Sequence, residues 1–409
     1  MSEDQCIELL GRWEGYRIGK VGRRGSNGEK PVKAWIELLP VAGQPMRCSG
    51  CGRFVSAVHE VWQRWIRDLP LLDAETWLLV HRRRVSCPRC GPKLEWLSWL
   101  GRYSRVTRRL AESVARMCMV LPVKHVADFF GLGWDAVKAI DKAALQEKLE
   151  PVDLSDIEQV LMDEFAIQKG HRYATVVVEP TLKRVLWVGR GRSREDVRPF
   201  FDLLGEEGCS RLKAVGMDMN AAYELEVKLW CPQAEIVYDL FHVVAKYGRE
   251  VIDRVRVDEA NRLRRDKPAR RVVKSSRWLL LRNRSSLPQD ERIRLRELLQ
   301  ANRRLMTVYV LRDDLKHLWD YRYPAAARRF WKGWYSRAVR SRIQPLKRFA
   351  QRLKPYLEGI LAHCRWSLST GLLEGMNNKI KVIKRMAYGF RDDAYFFLKI
   401  RAAFPGITG

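Results

Sequence analysis

The sequence predicts an α/β core interrupted by a long helical segment and preceded by a small β-rich region and a helical one. Three observations lead there. Apolar runs of strand length recur between residues 157 and 238, separated by stretches with helical spacing. About 130 residues of mainly helical pattern then run to a last amphipathic helix. Ahead of the core lie two Cys-x-x-Cys pairs, then a helix, a short glycine-containing turn and a second helix.

The chain has 409 residues, 46% of them hydrophobic and 15 of them tryptophan, which suffices for sizeable cores. No run of about 18 apolar residues appears, so no membrane span is expected. Met1-Ser-Glu-Asp-Gln5 lacks the basic-then-apolar pattern of a signal peptide, and the expectation is a cytoplasmic protein. Formal net charge is +28, and residues 246–354 alone hold 32 basic against 11 acidic side chains. A field concentrated in this way attracts polyanions, nucleic acid above all. Anionic membrane and acidic protein are the other partners of such a field. Neither accounts for aromatic residues interleaved with the basic ones, as in Phe330-Trp-Lys-Gly-Trp-Tyr335.

Residues 1–100 form the first predicted domain. Ala34-Trp-Ile-Glu-Leu-Leu39 and the glycine-rich basic turns of residues 19–30 predict strands and loops. Cys48-Ser-Gly-Cys51 and Cys87-Pro-Arg-Cys90 each set two thiols three positions apart, with a glycine after the second. Two such knuckles complete a tetrahedral four-thiolate site, so Cys48, Cys51, Cys87 and Cys90 are expected to hold a structural Zn2+. A closed thiolate shell leaves no open position, which excludes catalysis at the zinc. His59 and His81 therefore read as ordinary polar side chains. Residues 77–84 read as a strand with a basic flank.

Residues 101–150 turn helical. Residues 105–117, 122–130 and 134–142 carry amphipathic patterns, and Gly131-Leu-Gly133 separates the last two. Helix, short turn, helix is the order of a helix-turn-helix, whose second helix enters the major groove. On that reading Trp134, Lys138 and Lys142 face DNA; the alternative is a plain helical hairpin.

The core begins at 151. Residues 157–165 read as a buried strand ending in Asp163 and Glu164, and 173–179 and 184–188 as two more, closely connected and so antiparallel. A helix over 193–208 leads to a strand that ends in Asp218. A helix over 221–230 leads to a short strand that runs through Asp239 into a helix bearing His242. Three antiparallel strands, then alternating helices and parallel strands, is the ribonuclease H-like order. The predicted fold class is thus an α/β RNase H-like core over 151–245, a basic all-helical insertion over 246–364, and a C-terminal part of the core over 365–409. Within the insertion, helices are expected over 243–265, 289–314, 324–334 and 340–364. Trp278, Trp331 and Trp334 are candidates for stacking on a splayed base, with burial in the core as the alternative for each.

The closing helix starts near Ser369 to Gly371, where Ser and Thr favour the cap. On helical spacing Glu374, Asn377, Asn378, Lys381, Lys384 and Arg385 share one face, and Leu373, Ile380 and Ile383 lie opposite. Glu374 falls in the first turn, where the helix dipole favours a carboxylate. An acid followed by amides and bases suits a metal ligand that hands over to a phosphate-contacting strip; a solvated face with ordinary charge pairs is the alternative. Taken singly, Asp163 and Asp218 read as strand-end turn residues. Together, in this order, they suit a pair of Mg2+ ions about 4 Å apart that activate water or a 3′-hydroxyl for in-line attack on phosphate. Glu374 is the candidate third carboxylate.

These features resemble bacterial insertion-sequence transposases of the DDE class, most closely the ISL-three group. The resemblance lies in the two knuckles with Arg82-Arg-Arg84 before the second, Met162-Asp163-Glu164, and Gly216-Met-Asp218-Met. It continues in Asp239-Leu-Phe-His242-Val-Val and in Thr370-Gly-Leu-Leu-Glu374-Gly-Met-Asn377-Asn378-Lys-Ile-Lys381 through Ala387-Tyr-Gly-Phe390. It implies a catalytic triad of Asp163, Asp218 and Glu374 holding Mg2+, with Asp239 and His242 as an element that handles flanking DNA. Glu164 is the rival ligand beside Asp163, but neighbours on a strand point to opposite faces. The expected protein is a homodimer that recognises terminal inverted repeats through the zinc ribbon and helix-turn-helix. It then cleaves and joins strands, while Lys381, Lys384 and Arg385 meet phosphates. The alternatives are a catalytically inactive DNA-binding regulator and a nuclease that cuts without joining.

Overall fold

The computed structural model describes residues 13–25, 32–101, 103–149, 151–168, 170, 172–368 and 371–407. They fall into two compact units, one of residues before 151 with Met386–Tyr388, the other of the remainder.

The first unit carries a seven-stranded sheet built of β1 (Tyr16–Arg24), β2 (Lys33–Pro40), β3 (Met46–Cys48), β4 (Phe54–Val55), β5 (Val58–Arg67), β6 (Glu75–Cys87) and β7 (Gly91–Trp96). The order is β1-β2-β6-β7-β3-β4, with β5 also paired to β6. Residues 19–24, expected as a turn, extend β1, and 26–30 lie outside the described residues. Alternate residues of β6 are buried, which sets Leu78 and Val80 in a core with Ile36 and Leu38. The strand with a basic flank forms, and that flank is buried. Arg82 and Arg83 are 2% and 7% exposed, and Arg83 forms an ion pair with buried Glu95.

Three helices follow: α1 (Arg108–Cys118), α2 (Val123–Phe130) and α3 (Trp134–Lys148). Thr107 caps α1 and also donates to buried Asp68 at 2.6 Å, fixing the helix to the end of β5. Between α2 and α3 the chain turns at Gly131, whose φ of 61° is left-handed. A Cβ there would also meet Glu75 Oε1 at 2.5 Å and push that side chain aside, so the left-handed turn favours glycine.

The second unit holds β8 (Gln159–Gln168), β9 (Arg172–Glu179), β10 (Arg184–Arg190), β11 (Ala214–Met217) and β12 (Glu235–Tyr238) in the order β10-β9-β8-β11-β12. The first three pair antiparallel, and β11 pairs parallel with both β8 and β12. Helices α4 (Arg194–Arg211) and α5 (Ala221–Trp230) connect the last three, and α6 (Leu240–Tyr247) follows β12. Val176–Val178 are fully buried because the sheet is covered on both faces. Val160, Met162, Val215 and Met217 meet α4 and α5 through Phe200, Phe201, Tyr223 and Val227. Leu161, Phe165, Val176 and Val178 meet the two closing helices.

The helical segment comprises α7 (Asp253–Arg262), α8 (Lys267–Ser275), α9 (Arg277–Leu281), α10 (Gln289–Ala301), α11 (Arg303–Lys316), α12 (Pro324–Arg340), α13 (Gln344–Leu353) and α14 (Leu357–Leu361). The helix expected over 289–314 is two, broken at Asn302, whose side chain caps α11 by accepting from Leu305 N–H. The one expected over 340–364 is broken at Arg342, which takes a φ of 58°, and again by a 3₁₀ turn at Lys354–Tyr356. Helices α8 and α9 went unread in the sequence. Trp334 lies in this core and donates to the Leu311 carbonyl at 2.8 Å. Helices α15 (Gly371–Met386) and α16 (Asp393–Ala403) end the chain; Ser369 and Thr370, the expected cap, lie outside the described residues. No described helix is long and apolar enough to cross a membrane.

Candidate functional site

Strands β8 and β11 bring the first two acids together. Gly216 pairs with Leu161, so Asp218, in the turn just past the end of β11, follows its pair by two residues, as Asp163 does on β8. A Cβ on Gly216 would meet Leu161 Cδ2 at 2.4 Å, so glycine here makes room for that buried leucine beneath the acids. Asp163 shares its face with Leu161 and Phe165, toward α15, whereas Glu164 shares its face with Met162, toward α4 and α5.

Asp163 is held on both oxygens. Oδ1 accepts from the Glu164 backbone N–H at 2.8 Å, and Oδ2 accepts from Asn377 Nδ2 at 2.7 Å. Burial pushes this carboxyl above the usual range and the Glu164 charge adds to it, against the Glu164 N–H, His242 and Asn377. Burial likewise pushes Asp218 up to about 6, helped by the charges of Glu164 and Asp163 and opposed by His242 and Lys246. Glu164 accepts from Arg192 at 2.7 Å and from Asn220 at 3.2 Å.

Glu374 lies in the first turn of α15, as the sequence predicts. The stripe Leu373, Met376 and Ile380 lays this helix on the Asp163 face of the sheet. Its carboxylate is exposed and forms no hydrogen bond or ion pair among the described residues. The three acids do not converge on one point. Among the described residues, only the four-cysteine group has three or more acid, His or Cys ligand atoms within 4.8 Å of one another. Three bare carboxylates would repel, and Asp163 meets the closing helix through the amide of Asn377, one turn after Glu374.

Asp239 caps α6, its Oδ2 accepting from the Phe241 N–H at 3.0 Å, so its carboxylate serves its own helix. His242, in the first turn of α6, acts on both Asp163 and Asp218. Further along α15, Lys381, Lys384 and Arg385 line a groove of about 370 Å3 that also touches Glu164 and Asn377. Lys384 donates to the Ala166 carbonyl at 2.9 Å, and Lys381 to Asn378 at 3.3 Å. Trp331 and Trp334 are buried and stacked on each other, whereas Trp278 is 63% exposed beneath the Arg277 guanidinium. Arg192, Asn220 and Asn377 were not named as site residues from sequence, although Asn377 was placed on the Glu374 face.

On the first unit, Trp134 opens α3 and is half exposed, and Lys138 lies 5.6 Å from its ring. Lys142 is partly buried one turn on, while Val137 and Leu145 face the core. Cys48, Cys51, Cys87 and Cys90 gather as expected, their sulfurs all within 4.8 Å of one another. The left-handed Gly52 and Gly91 follow the second cysteine of each knuckle. The backbone N–H of Cys90 draws the Cys87 thiol down to about 7, whereas its hydrogen bond with Cys51 pushes Cys90 up to about 11. Four clustered thiols of this kind fit a tetrahedral Zn2+, which is bound by thiolates. His81 bonds Glu37 instead, at 3.0 Å.

Residues 44–90 match a family described as the zinc-finger of transposases IS204/IS1001/IS1096/IS1165. Residues 95–145 match the helix-turn-helix domain of transposase family ISL3, and residues 160–400 match the ISL3 transposase domain itself. A transposase for insertion sequence element IS1001 from Bordetella parapertussis is 56% identical over 407 residues, 99% of each chain. A transposase for insertion sequence element IS1557 from Mycobacterium tuberculosis is 28% identical over 369 residues, 84% of this chain and 82% of that one.

Proposed function

This chain belongs to the ISL3 family of transposases, and on that premise we propose that it binds the terminal inverted repeats of its insertion sequence and cleaves and joins DNA strands there. One observation carries the catalytic part: β8 and β11 pair in parallel just before Asp163 and Asp218, and the Glu374 helix is laid against the Asp163 face. The strand order, three antiparallel and then two parallel, supports an RNase H-like core over 151–245 completed by 365–409.

Asp163, Asp218 and Glu374 would hold Mg2+, Glu374 by turning its free carboxylate inward. The fit rests on two half-buried, mutually repelling carboxyls, and on the buried Asn377 Oδ1, which has no hydrogen-bond partner among the described residues. Bound Mg2+ supplies an activated water or 3′-hydroxyl and neutralises charge on the phosphate. His242 belongs to the helix that Asp239 caps, close enough to both aspartates to influence them, and would help handle the DNA beside them. Lys381, Lys384 and Arg385 receive the phosphates that flank the cleaved one.

End recognition is assigned to the helix-turn-helix, with Trp134, Lys138 and Lys142 toward DNA, and to the zinc ribbon that precedes it. The basic helical segment 246–364 binds DNA through phosphates, which makes affinity fall steeply with salt. The working form is a homodimer, one copy per element end, acting at the nucleoid in the cytoplasm. The exposed Glu374 favours the second reading, a DNA-binding regulator without catalysis. The full chain is to be incubated with end-sequence DNA and Mg2+. Nicks and strand-transfer products, both lost in Asp218→Ala with end binding kept, are expected. Binding without cleavage by the unaltered chain would leave the regulator.

A further inference from the structure

Asn377 is anchored by a stripe that has nothing to do with its amide. Leu373, Met376 and Ile380, 1%, 4% and 1% exposed, lay α15 on the sheet. Asn377, beside that stripe, is thereby turned toward β8. There its Nδ2 donates to Asp163 Oδ2 at 2.7 Å, across 214 residues of chain. The other end of the same amide is left over: Oδ1 is buried and has no hydrogen-bond partner among the described residues. A buried amide kept for stability has both ends bonded, because an orphaned carbonyl loses its hydration and gains nothing. An aliphatic side chain of similar size would pack as well without that penalty. The residue is therefore placed for what its N–H does to Asp163.

We propose that Asn377 is a positioning residue for strand cleavage, acting through Asp163, an inference that rests on the catalytic reading given above. The Glu164 backbone N–H holds Oδ1 of that carboxylate and Asn377 holds Oδ2, so the plane of the carboxylate is fixed by two donors from different elements. One donor alone leaves the carboxylate free to turn about its own axis. The second donor also comes from the helix that carries Glu374, one turn earlier, so the bond ties the position of the third acid to the first.

The test compares the full-length, zinc-loaded chain with Asn377→Ala and Asn377→Asp, using Mn2+ as the probe in titration calorimetry and end-sequence DNA in cleavage assays. Loss of an outer donor to a metal ligand weakens metal binding and activity by about 10- to 100-fold. Asn377→Ala is expected to weaken Mn2+ binding and lower kcat by that factor, with KM for DNA and the unfolding midpoint unchanged or the midpoint slightly raised. Asn377→Asp, which sets a like charge beside Asp163, is expected to be worse than alanine in cleavage. Wild-type Mn2+ affinity and kcat in Asn377→Ala would overturn the inference, as would a fall in kcat that merely tracks a lowered midpoint. Asp163→Ala serves as the separate control. If it still cleaves, the catalytic reading itself has failed; if it is inactive while Asn377→Ala is normal, only the role of Asn377 falls.

Discussion

Asn220 donates from Nδ2 to Oε2 of Glu164 at 3.2 Å, while Arg192 donates to the other oxygen of the same carboxylate at 2.7 Å. Asn220 also caps α5, two residues after Asp218, so this bridge ties the turn that carries Asp218 to the strand that carries Asp163. The Arg192 guanidinium lies 4.1 Å from the Tyr173 ring, which limits where that arginine can go. Removing the Glu164 carboxylate frees both donors and loosens the turn. Glu164→Ala is therefore expected to slow strand cleavage by about 10- to 100-fold while end binding in a gel-shift assay is unchanged. Wild-type cleavage would show that the Asp218 turn holds its place without the bridge.

The raised carboxyl of Asp218 predicts a pH-dependent stability. A group that binds its proton more tightly when folded stabilises the fold fully below its unfolded value, here 3.8, and loses that contribution as pH rises through about 6. At neutral pH, without a divalent cation, the ionised group is a liability. Asp218→Asn removes it and is expected to gain on the order of 1–2 kcal/mol at pH 7.5 and nothing at pH 3.5. Unfolding midpoints across this range, measured on zinc-loaded protein in magnesium-free buffer, decide the matter. A gain that does not vary with pH would point to packing instead.

Zinc removal should act on the first unit alone. The knuckles are joined by Ser49 N–H donating to the Leu94 carbonyl at 3.0 Å, and the packed cluster around them consists of Met46, Val55, Val85 and the four cysteines. That is too small a core to stand without the metal, whose binding contributes about 10 kcal/mol or more in small zinc domains. Cys51→Ser is expected to release one zinc per chain in a colorimetric assay. It should also abolish protection from proteolysis over 44–96, with the second unit still resistant. Full zinc content in this variant would exclude the four-thiolate site.

How much of this was legible in the sequence depends on how far apart the partners are. Strands β8 to β12 and helices α1 to α3 announce themselves by local period, and the knuckles by spacing within four residues. Asp163 and Asp218 were readable because each ends an apolar run. Asn377 was readable as a member of the Glu374 face but not as a partner of Asp163, since no local pattern reports a bond across 214 residues. Arg82 and Arg83 read only as a basic flank, and their burial was not legible, because charge alone does not reveal that Glu95, on the next strand, neutralises one of them. The breaks at Asn302 and Arg342 fall inside continuous helical periodicity; one is a cap and the other a left-handed turn, both decided by packing of the flanking helices. Asp239 shows the opposite difficulty, since a cap and a catalytic acid look alike in a string of letters.

The helix-turn-helix offers the sharpest division between reading bases and holding phosphates. Trp134, 48% exposed at the start of α3, is placed where the N-terminal residues of a recognition helix meet base edges, and Lys138 follows one turn later. Trp134→Ala is expected to weaken binding to end-sequence DNA by about 1–3 kcal/mol and leave binding to unrelated duplex unchanged. Lys138→Ala, if it loses a phosphate contact, weakens both by the same factor and lowers the slope of log affinity against log salt by about 1. Fluorescence anisotropy over a salt series measures both quantities at once. Should neither variant alter binding to either DNA, α2 and α3 are a helical hairpin that supports the sheet, and end recognition belongs to the zinc ribbon and the basic helical segment.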